Sequence, residues 1–325
     1  MRKIDACKVI QIKHFGWNFT AIITGSLLVW SNIALSDSWN GFDVQNALVP
    51  VAAIERGGPP RDGIPTIDHP RFTDAKDTDW LHADDRVLGI YRNGIARAYP
   101  IAILNWHEIV NDTIGGEPVT ITYCPLCGSG VAFQSNVNGR KLRFAVSGLL
   151  YNSDVLLYDR ETESLWSQIL GKAVTGKFKG VALQQIALTH TSWQDWKKRF
   201  PDSSVLSRDT GFQRDYTRNP YQGYASSRSI LFSLSNQDNQ LHPKAWVVGV
   251  ERNGHFKAYP FDELAKTNGV VREQLGEVKI IVHYDTVNRT ATVTDKTGET
   301  IPTISAYWFA WYAFHPDTEV FRTPR

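Results

Sequence analysis

Short runs of alternating apolar and polar residues, separated by turn formers, recur along most of this chain. Val87-Leu88-Gly89-Ile90-Tyr91, then Arg92-Asn93-Gly94, then Arg97-Ala98-Tyr99-Pro100 predicts a strand, an Asn-Gly hairpin turn and a return strand stopped by proline. The pattern returns 160 positions later as Val247-Val248-Gly249-Val250-Glu251, Arg252-Asn253-Gly254 and Lys257-Ala258-Tyr259-Pro260. Leu81-His82 precedes the first copy and Leu241-His242 the second. Val119-Thr120-Ile121-Thr122-Tyr123 alternates in the same way and reads as a further strand.

Helical spacing is confined to short stretches. Trp193, Trp196 and Phe200 fall on one helical face, and Pro201-Asp202 ends the run. Trp308, Trp311 and His315, ended by Pro316-Asp317, repeat this arrangement 115 positions later. Thr191 with Gln194 predicts the cap of the first helix. Aromatic stripes of this kind read as core. Because the offset falls from 160 to 115, the first copy carries 45 residues that the second lacks, most of them between Tyr123 and Trp193. Features shared by both copies, such as His82 and His242, read as scaffold. Features private to the first are candidates for function: His107 stands opposite Thr267, and Cys124 opposite Asp285.

The expected fold is mostly β (α+β) with short helices, an internal duplication packed as one pseudo-symmetric body. The expected organisation is a signal peptide over 1–36, an N-terminal extended segment over 37–80 and a first repeat carrying the CxxC motif over 81–206. A linker over 207–240, rich in Tyr, Gly and Ser, then leads to a second repeat over 241–325. Gly57 to Phe72 is dense in turn formers and predicts an extended loop, and the linker predicts a surface wrap or cleft wall. Arg2, Lys3, Lys8 and Lys13 precede an apolar run from Ala21 to Trp30, with Ala34-Leu35-Ser36 as the cleavage site. This pattern predicts export, periplasmic or extracellular. Asn18, Ser26, Ser31 and Asn32 dilute the stretch from Trp17 to Leu35, which favours cleavage over an uncleaved signal anchor. No later segment is apolar enough to cross a bilayer.

Charge and composition narrow the classes further. The formal net charge is +2, and the basic signal region supplies more than all of it. The remainder has no basic stripe, so nucleic-acid binding has no support. Eleven Trp, twelve Tyr and fifteen Phe, with 42% hydrophobic residues, are ample for a large core. Nothing in the sequence names a partner.

Without Cys7, which lies in the signal segment, Cys124-Pro125-Leu126-Cys127-Gly128 holds the remaining cysteines. An exported chain with one tight pair either closes a small disulfide loop or grips a metal. Gly128-Ser129-Gly130 and then Val131-Ala132-Phe133 predict a turn into another strand, not the helix whose N-terminus activates a thiol in thioredoxin-like proteins. A Cys-Pro-x-Cys-Gly turn suits a metal knuckle, where backbone N–H groups point at the thiolates. Structural zinc takes four ligands, and no second cysteine pair exists. The remaining ligands are then His or carboxylate, or the site is two- or three-coordinate, as soft Cu(I) accepts. His107 is the candidate third ligand, or the base beside a thiol. Glu108, Asn152, Asp154, Tyr158, Trp166 and Gln168 are candidates for lining a pocket with the cysteines; turns at Asn152-Ser153-Asp154 and Asp159-Arg160-Glu161 are the plainer account of that stretch.

Gly57-Gly58-Pro59 with Asp62-Gly63-Ile64-Pro65, His107-Glu108-Ile109-Val110-Asn111-Asp112, Tyr123-Cys124-Pro125-Leu126-Cys127-Gly128, Ser147 to Asp154, Tyr158-Asp159-Arg160 and Ser164 to Gln168 together resemble the DUF3179 family. The resemblance runs from about residue 50 to 322. It implies an exported or membrane-attached prokaryotic protein of unknown function, and so supplies no mechanism. Three readings stay open: a copper- or zinc-binding protein, a thiol–disulfide oxidoreductase using Cys124 and Cys127, and a non-enzymatic ligand-binding module with a structural disulfide. Whether the chain is an enzyme is not decided by its residues.

Overall fold

The computed structural model describes residues 39–324, within one compact unit that spans Ser38–Arg325. The expected signal peptide over 1–36, with Cys7, lies outside the described residues. The chain is mostly β, with α-helices of at most seven residues among the described residues. Its strands form five sheets of four or five strands and one two-stranded ribbon, and the five sheets resemble the blades of a propeller-like ring.

The two Asn-Gly hairpins form where the alternation places them. Strand Arg86–Arg92 pairs with Ile95–Pro100, with Val87 opposite Pro100; Trp246–Arg252 pairs with His255–Pro260, with Val247 opposite Pro260. Asn93 and Asn253 both sit at φ 51°, each followed by a glycine at positive φ, the conformation a two-residue hairpin turn demands. The first hairpin is flanked by Thr189–Ser192 antiparallel and Ser204–Leu206 parallel. The second is flanked by Ile304–Tyr307 antiparallel and Glu319–Val320 parallel.

A helix links each pair of flanking strands, Trp193–Arg199 in one case and Trp308–Phe314 in the other. A Cβ built on Gly89 would lie 2.2 Å from the Trp196 ring, and one on Gly249 would lie 2.2 Å from Trp311. The glycines therefore let each indole close onto its sheet, and the aromatic stripes are core, as their spacing predicts. One detail of the helix start differs. Thr191 is still in the strand, paired with Val87, so Ser192 is the cap and its side chain accepts from the Asp195 amide at 3.3 Å. The Thr191 hydroxyl instead donates to the Asp195 carboxylate at 2.7 Å.

The stretch unmatched in the second sequence copy builds a sheet together with Ile54–Arg56 from the N-terminal segment. Strands Ile54–Arg56, Phe144–Tyr151, Asp154–Asp159, Leu165–Ser167 and Lys172–Ala173 lie side by side in that order. Nearly every residue from Phe144 to Asp159 is buried, so both faces of this sheet are covered. Residues 207–240 hold no helix or strand. The Ser233 amide donates to Glu55, the Ser235 amide to Asn152 Oδ1, and the Asn236 side chain to the Ala313 carbonyl.

Candidate metal centre

Strand Glu117–Cys124 pairs with Ser129–Gln134, with Cys124 directly opposite Ser129, so residues 125–128 form a tight turn. No helix follows the cysteines, in agreement with the residues after Gly128. Gly128 itself is at φ 63°, and a Cβ there would meet Trp246 at 3.0 Å and Tyr307 at 3.1 Å. Only glycine allows this turn to seat against those rings. The Cys127 carbonyl accepts the Tyr307 amide at 2.8 Å, which fixes the turn from the other side. Both thiols are free, and both cysteines are buried, 2% and 0% exposed.

The third member comes from the hairpin Phe144–Tyr151/Asp154–Asp159. Its two turn residues, Asn152 and Ser153, both have positive φ, 54° and 63°. Asn tolerates this conformation; Ser does so at a cost. The result is a Ser153 carbonyl aimed at the cysteines, which accepts from Cys127 Sγ at 3.3 Å and more weakly from Cys124 Sγ at 3.9 Å. The next residue, Asp154, turns its carboxylate to the same place. One ligand atom from each of Cys124, Cys127 and Asp154 lies within 4.8 Å of the others, and all three residues are buried. Asp154 Oδ2 accepts the Ile169 amide at 3.1 Å, while Oδ1 has no partner and neither does Ser153 Oγ.

Glu108 adds a fourth acid. It ends the helix Ile101–His107 at φ 56°, clamped by its amide on the Leu104 carbonyl at 2.8 Å and by the Tyr123 amide on its own carbonyl at 2.7 Å. Its carboxyl is pushed up to about 8, chiefly by burial, with the charge of Asp154 adding to the shift. Burial likewise pushes Asp154 up to about 7, against the pull of the Ile169 and Val155 N–H groups and of the two thiols. The Cys124 thiol is raised by burial, although the Cys127 thiol and backbone N–H draw it down. The Cys127 thiol is raised further, by burial and then by Cys124. Four buried acids thus act on one another, and burial disfavours the charged form of each. A cation that interacts with Cys127 is Lys244, only 4% exposed, whose own value burial lowers to about 8. Its ammonium is occupied by the carbonyls of Tyr224, Ser227 and Ser229 at 3.4, 3.2 and 2.7 Å and lies over the Tyr224 ring. Such a donor set fits a metal cation, which supplies positive charge and keeps the thiolates and carboxylate ionised.

Of the residues singled out in the sequence, Cys124, Cys127 and Asp154 are brought together and Glu108 stands near them. His107 is not in the group. Burial lowers its value, so the ring is neutral: Nδ1 donates to the Pro65 carbonyl and Nε2 accepts the Tyr216 hydroxyl, both at 2.7 Å. With both nitrogens occupied, it pins the loop before it and the linker across it. Gln168 supports the cysteine turn through Ser129 Oγ at 2.6 Å and Thr122 Oγ1 at 2.9 Å. Asn152 reaches away to the Ala313 carbonyl. Tyr158 donates to Asp62 in the preceding loop, and Trp166 Nε1 to Asp159 of its own sheet. The sequence reading missed Tyr224, Tyr307 and Lys244, whose neighbourhood with the thiols depends on linker and second-half contacts. The cluster of linker tyrosines was the one visible signal for Tyr224.

A buried Cys–Cys–Asp group that could hold a metal is thus carried on a mostly β scaffold. The chain belongs to the family described as a protein of unknown function, DUF3179, whose model matches residues 61–318. No curated protein and no solved structure matches it.

Proposed function

We propose that this chain is an exported metal-binding protein whose ion is zinc, held by Cys124, Cys127 and Asp154. The observation that carries the reading is the convergence of two thiols and one carboxylate, with Asp154 Oδ1 unpartnered, in one buried place. Two sulfurs and one hard oxygen form a borderline donor set, which suits zinc better than Cu(I), an ion that prefers sulfur alone. Three protein ligands leave a position for a water or for Glu108. The same reading takes the matched hairpin sheets as duplicated halves of one pseudo-symmetric body, with the boundaries given above, and places the protein outside the cytoplasm after loss of 1–36.

The test is elemental analysis of protein isolated from its native compartment, with thiol titration before and after chelation. About one zinc per chain and two thiols that become reactive only after chelation are expected. Two freely reactive thiols without affinity for metal, or a disulfide in their place, would sink the reading.

Thiol–disulfide exchange is the second reading, favoured by the Asp154 carboxyl at about 7 beside two free thiols, a group able to take a thiol proton. Burial that raises both thiols, and a cover of linker residues, weigh against it. A metal-free protein whose thiol pair oxidises reversibly, and loses that rate in Asp154→Asn, would favour it over zinc.

A further inference from the structure

A cleft of about 520 Å³ opens between strand Ser129–Gln134 and the sheet of Trp246–Arg252. Its volume is in the range of small-molecule sites. The floor is apolar, made by Phe133, Ile169, Ile304 and Trp311. At one end Phe256 and His315 stack with centroids 4.4 Å apart, and His315 lies 4.2 Å from the Trp311 ring. Burial lowers His315 to about 4, so this wall carries no charge at neutral pH.

The charge comes from the rim. Lys172 and Arg252 line the cleft, and neither has an ion-pair partner among the described residues. Arg252 commits a single N–H to the Glu251 carbonyl at 3.0 Å. Burial pulls its guanidinium down in spite of Glu251 and Asp295, so those acids do not offset its desolvation. Glu251, the acid on the rim, spends Oε1 on the Gly254 amide at 2.9 Å. Gln185 gives its side-chain N–H to the Thr303 carbonyl at 3.0 Å and leaves its oxygen free to accept.

We propose that this cleft is a binding site for a small amphipathic anion, with an apolar or aromatic body against Trp311, Phe133 and Ile169 and a carboxylate between Arg252 and Lys172. An apolar floor lowers the free energy of the body, and two cations that outnumber the one rim acid, Glu251, select the charge of the head. The site lies apart from the thiols but shares a wall with them, because Ile169 lines the cleft while its amide holds Asp154.

The experiment is calorimetric titration of the protein with 1-naphthoate and with decanoate, and with 1-naphthamide as the neutral control. A saturable one-to-one isotherm for at least one carboxylate is expected, with the amide at least about tenfold weaker. Arg252→Gln should weaken the carboxylate about tenfold and leave the amide and the metal content unchanged. Lys172→Gln, on an exposed position, provides the same comparison should Arg252→Gln fold poorly. No saturable binding of either acid, equal binding of acid and amide, or indifference to both substitutions overturns the proposal. Metal content reports separately on the thiol site, so either idea can fail alone.

Discussion

At the scale of single residues, Asp154 and Glu108 set how the site responds to protons. Both carboxyls move from their ordinary values, 3.8 and 4.5, up to about 7 and about 8 in the metal-free protein. A folded state that binds protons more tightly than the unfolded chain is most stable below the unfolded values and loses that stability as pH rises through the folded ones. Thermal unfolding of the metal-free protein should therefore show a melting temperature that falls between about pH 4 and 8, and zinc should flatten the slope. A melting temperature that rises across that window would contradict the assignment. Asp154→Asn should weaken zinc at least about tenfold in competition with a chromophoric chelator, because a ligand matters no less than the groups that orient ligands. Among these residues the cysteine pair was legible from its spacing and its turn formers. Asp154 was legible only as a pocket candidate, since the hairpin turn that delivers it sets its direction. His107 misled because a histidine private to one copy looks like a ligand, whereas its two bonds lead to Pro65 and Tyr216, far away in the chain.

At the scale of elements, turns and close approaches set the site. Ser153 holds a left-handed conformation that glycine adopts without strain, and its contribution to the thiols is its carbonyl. Ser153→Gly should thus keep zinc affinity and raise metal-free stability by up to about 1 kcal/mol, read from urea unfolding midpoints. Gly89→Ala and Gly249→Ala should each cost about 1–3 kcal/mol, since the added methyl meets Trp196 or Trp311. An unchanged midpoint would mean that the indoles do not close on the sheets as described. Hairpins and helices of this kind are readable in sequence because Asn-Gly pairs, alternation and terminal prolines act within a few residues. The cap at Ser192 was misplaced by one residue because pairing of Thr191 with Val87, a contact between distant segments, decides where the strand ends.

At the scale of the whole molecule, function depends on segments distant in sequence meeting at one place. The first-half cysteines, the hairpin of the unmatched stretch, the linker and Tyr307 from the second half close the site together. Pairing between sheets is non-local, which is why a mostly β composition could be read while the arrangement of five sheets could not. The linker is pinned by Lys244, whose ammonium reaches three of its carbonyls. Lys244→Met should loosen that cover and speed reaction of the metal-free thiols with a small disulfide reagent about tenfold or more. The most direct measurement of the central claim is X-ray absorption at the zinc edge of the protein loaded with one equivalent. Two sulfurs at about 2.3 Å are expected, with oxygen completing the shell at about 2.0–2.2 Å and one of those oxygens lost or replaced in Asp154→Asn. A shell of nitrogen and oxygen without sulfur, or of sulfur unchanged by Asp154→Asn, would contradict that claim.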